Sequence, residues 1–370
     1  MSNAPSNVSA RSTRASATPS AATTTDCDHP EVVATEVVLP GVVAPDGLQV
    51  RSRVLPAPTA GQALVAVEAS GVSFAEQQMR LGKYYDQPPF PFVPGYDLVG
   101  TVTAVGPGVA PSLVGSRVAA LTKTGGWASA VLLDAADLVL VPAGIDPAEA
   151  ETVVVNGITA WQMLHRTAKV RAGQTVLVHG ANGGVGSTLV QLARHAGVRV
   201  IGTAARQHFE AVRALGADPV DYTDSDLPAR VRELAPGGVD AVFDHVGGPG
   251  IVDSWQLLAP GGTLVSFGSA ATKDAPGASR LPVLKLVLRL LAWNLAPNGK
   301  HASFFNVWAG RRRRAQFQAR LRQDLGQVFT LLSDGTLAAQ VAARVPLADV
   351  AAAMTLAESR TAVGKVVLIP

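Results

Sequence analysis

Residues 175–203 read TVLVHGANGGVGSTLVQLARHAGVRVIGT. Residues 175–179 are a short apolar run ending at a turn, the pattern of a buried strand. Gly180, Gly183, Gly184 and Gly186 follow. Leu189, Val190, Leu192, Ala193 and Ala196 then recur at helical spacing, and Gly197 is placed to cap that helix in the left-handed region. Residues 198–202 are a second apolar run. The stretch predicts strand, glycine turn, helix and strand, one βαβ unit. A pyrophosphate needs backbone N–H donors at the positive end of a helix, and a bend free of side chains. Ala181-Asn182-Gly183-Gly184-Val185-Gly186 fits the dinucleotide fingerprint G-x-G-x-x-G, with Ala181 at the first glycine. Its place between a strand and a helix favours that reading over an ordinary glycine-rich turn.

The same alternation continues downstream. Helices are expected at 208–215, 227–234 and 251–258, and strands near 219–222, 239–244 and 263–268. Strands alternating with helices predict a doubly wound parallel sheet, which binds ligands at the carboxyl ends of its strands. Upstream the texture differs. Residues 63–69, 98–105, 115–121, 131–133 and 138–141 read as short strands punctuated by Gly and Pro, with one helix at 74–81, which suggests a small barrel or sandwich. Helices at 148–155 and 159–167 meet at Asn156-Gly157. After residue 338 strand texture returns, and the last strand needs the first sheet to pair with.

Composition narrows the function. The 370 residues are 48% hydrophobic, enough for sizeable cores, and the net charge of +3 is no nucleic-acid footprint. A single cysteine, Cys27, supplies neither a disulfide framework nor a thiolate cage for zinc. Residues 1–30, rich in Ser, Ala and Thr, read as a disordered tail with a faint likeness to a transit peptide. Residues 281–295 are apolar nearly all round, with Lys285 and Arg289 one turn apart. They read as a helix at an interdomain or dimer contact, or as a membrane-surface helix with basic anchors. Arg311–Arg314 reads as a solvated charge run at a helix start.

Gly71-Val72-Ser73-Phe74-Ala75-Glu76, Arg80-Leu81-Gly82-Lys83-Tyr84, Pro94-Gly95-Tyr96-Asp97, Asn156-Gly157-Ile158-Thr159-Ala160-Trp161, the glycine turn and the terminal Val363-Gly364-Lys365-Val366-Val367-Leu368 together resemble the zinc-independent branch of the medium-chain dehydrogenase/reductase superfamily. Within it the chain is similar to the NADPH:quinone reductases of zeta-crystallin type and the vesicle amine transport protein group. The resemblance implies an α/β chain with a GroES-like β-rich domain at 31–155, completed by 338–370. It also implies a Rossmann domain at 156–337 with a helical insertion at 281–330, and a cofactor cleft between the two. Members are commonly dimers or tetramers, so a cytoplasmic homodimer is expected. Where zinc relatives carry Cys and Gly-His-Glu, this chain has Ser73 and Gly95-Tyr96-Asp97. No metal is therefore expected, because zinc needs three or four N or S ligands.

The reaction implied is hydride transfer from NADPH to a quinone or to the β-carbon of an enone. A donor must then meet the charge that develops on the substrate oxygen. Tyr84 is the candidate; the alternative is a tyrosine packed on the cleft rim. The cofactor site is expected at Ala181, Gly183, Gly184, Val185 and Gly186, with Asn156, Thr159, Thr203, Phe267, Gly268 and Lys365 around it. No carboxylate follows the second strand, where NAD enzymes hold the ribose 2′-hydroxyl. Arg206 stands there instead and suits a 2′-phosphate, with Tyr222 flanking the adenine. A weakly catalytic NADP-binding protein acting at a membrane or on RNA is the alternative.

Overall fold

A computed structural model of the chain describes residues 31–268, 270–272, 280–359 and 361–370. The tail at 1–30 and Cys27 lie outside the described residues. The βαβ unit sits at the centre of a six-stranded sheet in the order Asp218–Asp221, Arg199–Ala204, Thr175–Val178, Val239–Asp244, Leu258–Ser266, His301–Phe304. Every neighbouring pair is parallel. Val176, Leu177, Val178, Ala241, Val242, Phe243, Leu264 and Val265 are fully buried, as strands covered on both faces must be. Numbered along the chain, the order is 3-2-1-4-5-6. It reverses between Thr175–Val178 and Val239–Asp244, and the connections leaving those two strands diverge to open a crevice at their carboxyl ends.

The strand His301–Phe304 corrects the reading of 281–330 as a helical insertion. The helix Arg280–Trp293 is the crossover that carries the chain to the sixth strand, and contacts that strand. Four residues, His-Ala-Ser-Phe, are too few to show a period. Beyond them the helix Arg314–Ser333 packs against the helix Val155–Trp161.

That packing also corrects the joint expected at Asn156-Gly157. Both residues lie inside the helix Val155–Trp161, which runs on into a wider π turn at Gln162–Ala168. Gly157 is a close-approach position: a Cβ there would lie 2.7 Å from Val328 Cγ1. The glycine signals helix–helix packing, not a break.

The second sheet has the order Val341–Pro346, Lys365–Ile369, Gln62–Val72, Asp97–Val105, Arg117–Leu121, Val139–Leu140, with Ala130–Asp134 also paired to Gln62–Val72. The last strand of the chain lies antiparallel to Gln62–Val72. One core joins the second sheet to the helices Val155–Trp161 and Arg314–Ser333. Val72, Met79, Tyr96 and Trp127 from the β-rich part pack in the same cluster as Val155 and Ile158, and as Phe317, Leu325, Val328 and Phe329. No described helix is long and apolar enough to cross a membrane.

Candidate functional site

The glycine turn opens the helix Gly184–His195 at the crevice, with Gly183 as its N-cap. The N–H groups of Gly184, Val185 and Gly186 lie in the first turn and have no helical carbonyl to bond. The three glycines answer to different constraints. A Cβ on Gly186 would run into the backbone oxygen of Gly180, and one on Gly184 into the side-chain amide of Asn156. A Cβ on Gly183 would meet only Gly180 O, at 3.4 Å, and its φ of −80° suits any residue. Nothing within the protein therefore requires glycine at 183. The cradle it leaves is open, which fits a ligand that approaches the backbone closely, as a dinucleotide pyrophosphate does. Ala181 is fully buried, and its N–H donates to Thr203 O.

Beneath the turn runs a buried polar chain that the sequence did not reveal. Thr203 Oγ1 accepts the N–H of Gly180 at 3.1 Å and lies 3.2 Å from His179 Nδ1. His179 Nε2 is 3.1 Å from Ser254 Oγ, which donates to Asp244 Oδ2 at 2.7 Å. Asp244 Oδ1 accepts the N–H groups of Val246 and Gly247. Donors and acceptors alternate correctly with a neutral His179 protonated at Nε2. Burial lowers the pKa of His179, only partly opposed by Asp244, and so favours that neutral form. Four separate segments are joined by this chain, and no local spacing could have shown it.

Around the turn, Asn156 donates to Thr152 O at 2.9 Å and supports Gly184 from behind. Thr159 is buried, and none of the described residues bonds its hydroxyl. Phe267 and Gly268 follow the fifth strand beside His245, whose ring centroid is 5.9 Å from that of Phe267. At the other end Arg206 Nε donates to Asp221 Oδ2 at 2.6 Å, and the Arg206 side chain is 80% exposed. Its two terminal amino groups are therefore open to a ligand. The side chain and N–H of Thr223, together with Arg206, lower Asp221 to about 2, so this anchor is ionised. Tyr222 stands exposed beside them, its N–H on Ala204 O.

Lys365 differs from expectation. Its Nζ does not face the crevice; it is buried 2.8–2.9 Å from both oxygens of Asp97 and 2.6 Å from Glu151 Oε1. Gly71 makes the room, since a Cβ there would strike Lys365 and Glu151. Burial disfavours the ammonium, but the two carboxylates outweigh it and raise the lysine pKa. Burial, then Asp97, pushes Glu151 well above the usual carboxylate range. Asp97 also accepts the Val155 N–H at 2.9 Å, which ties this cluster to the helix carrying Asn156 and Thr159. Only the backbone near Lys365 reaches the glycine turn: Gly364 N–H points to Asn182 O at 3.4 Å.

An aromatic wall stands near the carboxyl end of the sixth strand. Tyr84 Oη lies 3.0 Å from Tyr96 Oη, and Trp308 Nε1 donates to Tyr96 Oη at 2.5 Å. Tyr85 bonds Tyr84, and its ring meets Phe304 edge-on at 6.1 Å, at the carboxyl end of the sixth strand. Burial raises the pKa of Tyr84 and Tyr96 above the usual phenol value, so both are donors at neutral pH. Tyr96 and Trp308 are the residues the sequence reading missed. The only signal was Tyr96 standing where zinc relatives have histidine.

Ser73, the other position compared with a zinc ligand, caps the helix Phe74–Arg80 through Ala75 N–H and shares Glu76 with it. Glu76 also accepts the Tyr96 N–H at 2.6 Å. Among the described residues no three His, Cys, Asp or Glu side chains are grouped to hold a metal ion.

Two family descriptions match the chain: the alcohol dehydrogenase GroES-like domain over residues 59–143 and the zinc-binding dehydrogenase over residues 215–368. The synaptic vesicle membrane protein VAT-1 homolog of Rattus norvegicus is 32% identical over 333 residues, 87% of this chain and 80% of that one. The solved structure of mycobacterial Rv1454c complexed with NADPH is 31% identical, with a TM-score of 0.78 over 91% of this chain and 100% of that one. The quinone oxidoreductase of Pseudomonas syringae pv. Tomato DC3000 is 28% identical, with a TM-score of 0.79 over the same shares. The chain therefore belongs to the medium-chain dehydrogenase/reductase superfamily, in its quinone reductase and VAT-1-like group.

Proposed function

We propose that the protein is an NADPH-dependent reductase of quinones or α,β-unsaturated carbonyls, working in the cytoplasm. The observation that carries this reading is the open cradle at Gly183, in the crevice where the strand order reverses. NADPH, when bound, supplies the hydride. Gly184, Val185 and Gly186 would hold its pyrophosphate through backbone N–H groups, and Arg206 its 2′-phosphate. Thr159, Phe267 and Gly268 would border the nicotinamide, and Tyr222 the adenine. Likeness to a protein that binds NADPH supports the choice of cofactor.

Tyr84 is the group assigned to the substrate oxygen. Trp308 donates to Tyr96, which leaves the Tyr96 hydroxyl proton free to donate to Tyr84. Each donor is thereby held by the next, and the wall needs little reorganisation as charge develops on the substrate. Phe304 meets the Tyr85 ring edge-on beside Tyr84.

The test is NADPH consumption across ortho-quinones, para-quinones and short enones. Turnover of at least one class is expected, unchanged by exhaustive chelation. Tyr84→Phe should lower kcat by roughly 10²-fold, as loss of one oxyanion donor does. No turnover with any class, or a Tyr84→Phe enzyme as fast as wild type, would contradict the proposal.

A further inference from the structure

Tyr84 stands in a segment whose backbone is fixed on both sides. The helix Phe74–Arg80 closes with Gly82 in the left-handed region, at a φ of 66°. Gly82 N–H donates to Met79 O at 3.0 Å and Lys83 N–H to Gln78 O at 2.8 Å, the paired closure that a left-handed glycine permits. Gln78 is thereby tied to the residue before Tyr84. On the other side Tyr85 and Asp86 form a turn, which brings Gln87 back beside Tyr84. Both glutamines therefore lie within one turn of the tyrosine.

Their side chains lack what buried polar groups normally have. Gln78 is 3% exposed, and neither its amide nitrogen nor its amide oxygen has a partner among the described residues. The amide of Gln87 is buried and unpartnered in the same way. Of eight such side-chain atoms among the described residues, four belong to these two amides, so the deficit is concentrated around Tyr84. The neighbouring polar groups are bonded: Tyr84 and Tyr96 hold each other, Trp308 donates to Tyr96, and Glu76 accepts the Tyr96 N–H. A buried amide that nothing bonds costs stability, and an apolar side chain would fill the same space without that cost.

An amide carries two N–H donors and one acceptor oxygen. Unsubstituted quinones and simple enones present acceptor oxygens only, and Tyr84 is assigned to the one that gains charge. Such a substrate leaves both amide oxygens unbonded. A hydroxyl group accepts and donates at one atom, so it serves an amide N–H and an amide oxygen together. We propose that Gln78 and Gln87 are specificity-determining residues, which select quinones or enones carrying a hydroxyl group near the carbonyl that Tyr84 binds. This inference rests on the reductase reading and on Tyr84 as the group that meets the substrate oxygen.

The test uses two isosteric pairs with the full chain: a hydroxymethyl quinone against its ethyl analogue, and a hydroxymethyl enone against its ethyl analogue. NADPH consumption gives the ratio of kcat/KM within each pair, which is free of any general change in activity. The wild type should prefer the hydroxymethyl member by about tenfold, as one hydrogen bond to an otherwise unbonded buried group would give. Gln78→Met/Gln87→Met keeps side-chain length and removes the amides, so it should bring the ratio close to one and melt no lower than the wild type. Binding of the enone pair is measured separately by calorimetry with NADP+ present. Selective binding that the variant loses, without turnover of any acceptor, would contradict the reductase reading and leave the selectivity of the glutamines standing. A wild-type ratio near one in both measurements, or a ratio that the variant leaves unchanged, would overturn the proposal, and water alone would then bond the amides. Neither turnover nor binding of either pair would overturn both.

Discussion

Arg206 is held in place before any ligand arrives. Asp221 takes its Nε at 2.6 Å and leaves both terminal amino groups free. Losing a charge-assisted contact to a phosphate costs about 1.5–3 kcal/mol, so Arg206→Ala should weaken NADPH binding by about 10- to 100-fold and leave NADH nearly unchanged. Titration of the two cofactors by fluorescence decides this; equal loss for both would remove Arg206 from the 2′-phosphate site. Arg206 was legible in the sequence because it stands where a carboxylate would otherwise be needed. Asp221 was not, since it comes from the neighbouring strand. His179 makes a second prediction. Burial lowers its pKa, so the folded protein binds fewer protons than the unfolded chain once pH falls below about 6.5, the ordinary histidine value. Its contribution to stability is complete above that pH and declines as acidity increases. His245 is lowered in the same direction, also by burial, so a replacement at 179 subtracts only part of the slope. His179→Gln should be less stable than wild type at pH 8 yet lose less on going to pH 5. Parallel melting-temperature curves would contradict this.

Elements are joined at the site by groups that repeat in no pattern. The helix Val155–Trp161 begins on an Asp97 carboxylate oxygen, and Asp97 is itself held by Lys365 from the far end of the chain. The sequence marked Asn156 and Thr159 but made Asn156-Gly157 a joint, and the family resemblance turned Lys365 toward the cofactor. Both errors have one cause: a contact between residues distant in sequence replaced the local expectation. Lys365→Met would leave Asp97 and Glu151 buried without their cation. Breaking a buried pair in this way costs about 3–5 kcal/mol, measurable by urea unfolding. Glu151→Gln should cost much less, because burial and Asp97 already favour the neutral acid. A Lys365→Met protein as stable as wild type would show that the buried cluster does not hold the helix Val155–Trp161 to the second sheet.

Across the whole molecule, what the sequence disclosed follows from periodicity. Four strands of the parallel sheet, Thr175–Val178, Arg199–Ala204, Val239–Asp244 and Leu258–Ser266, carry buried apolar runs, and the glycine turn announced the crevice between the first and fourth. The sixth strand, only four residues long, and the Tyr84–Tyr96–Trp308 wall could not be read this way. The wall is assembled from residues up to 224 positions apart, counting from Tyr84 to Trp308. The proposed function rests on a dinucleotide lying on the turn where the fold reverses direction. Gly183 tests this most directly, because its Cβ would enter the cradle without striking the protein. Gly183→Val should keep the wild-type melting temperature and give no measurable NADPH binding by isothermal titration calorimetry, where the wild type binds. A folded Gly183→Val protein that binds NADPH with wild-type affinity would place the cofactor elsewhere and contradict the account.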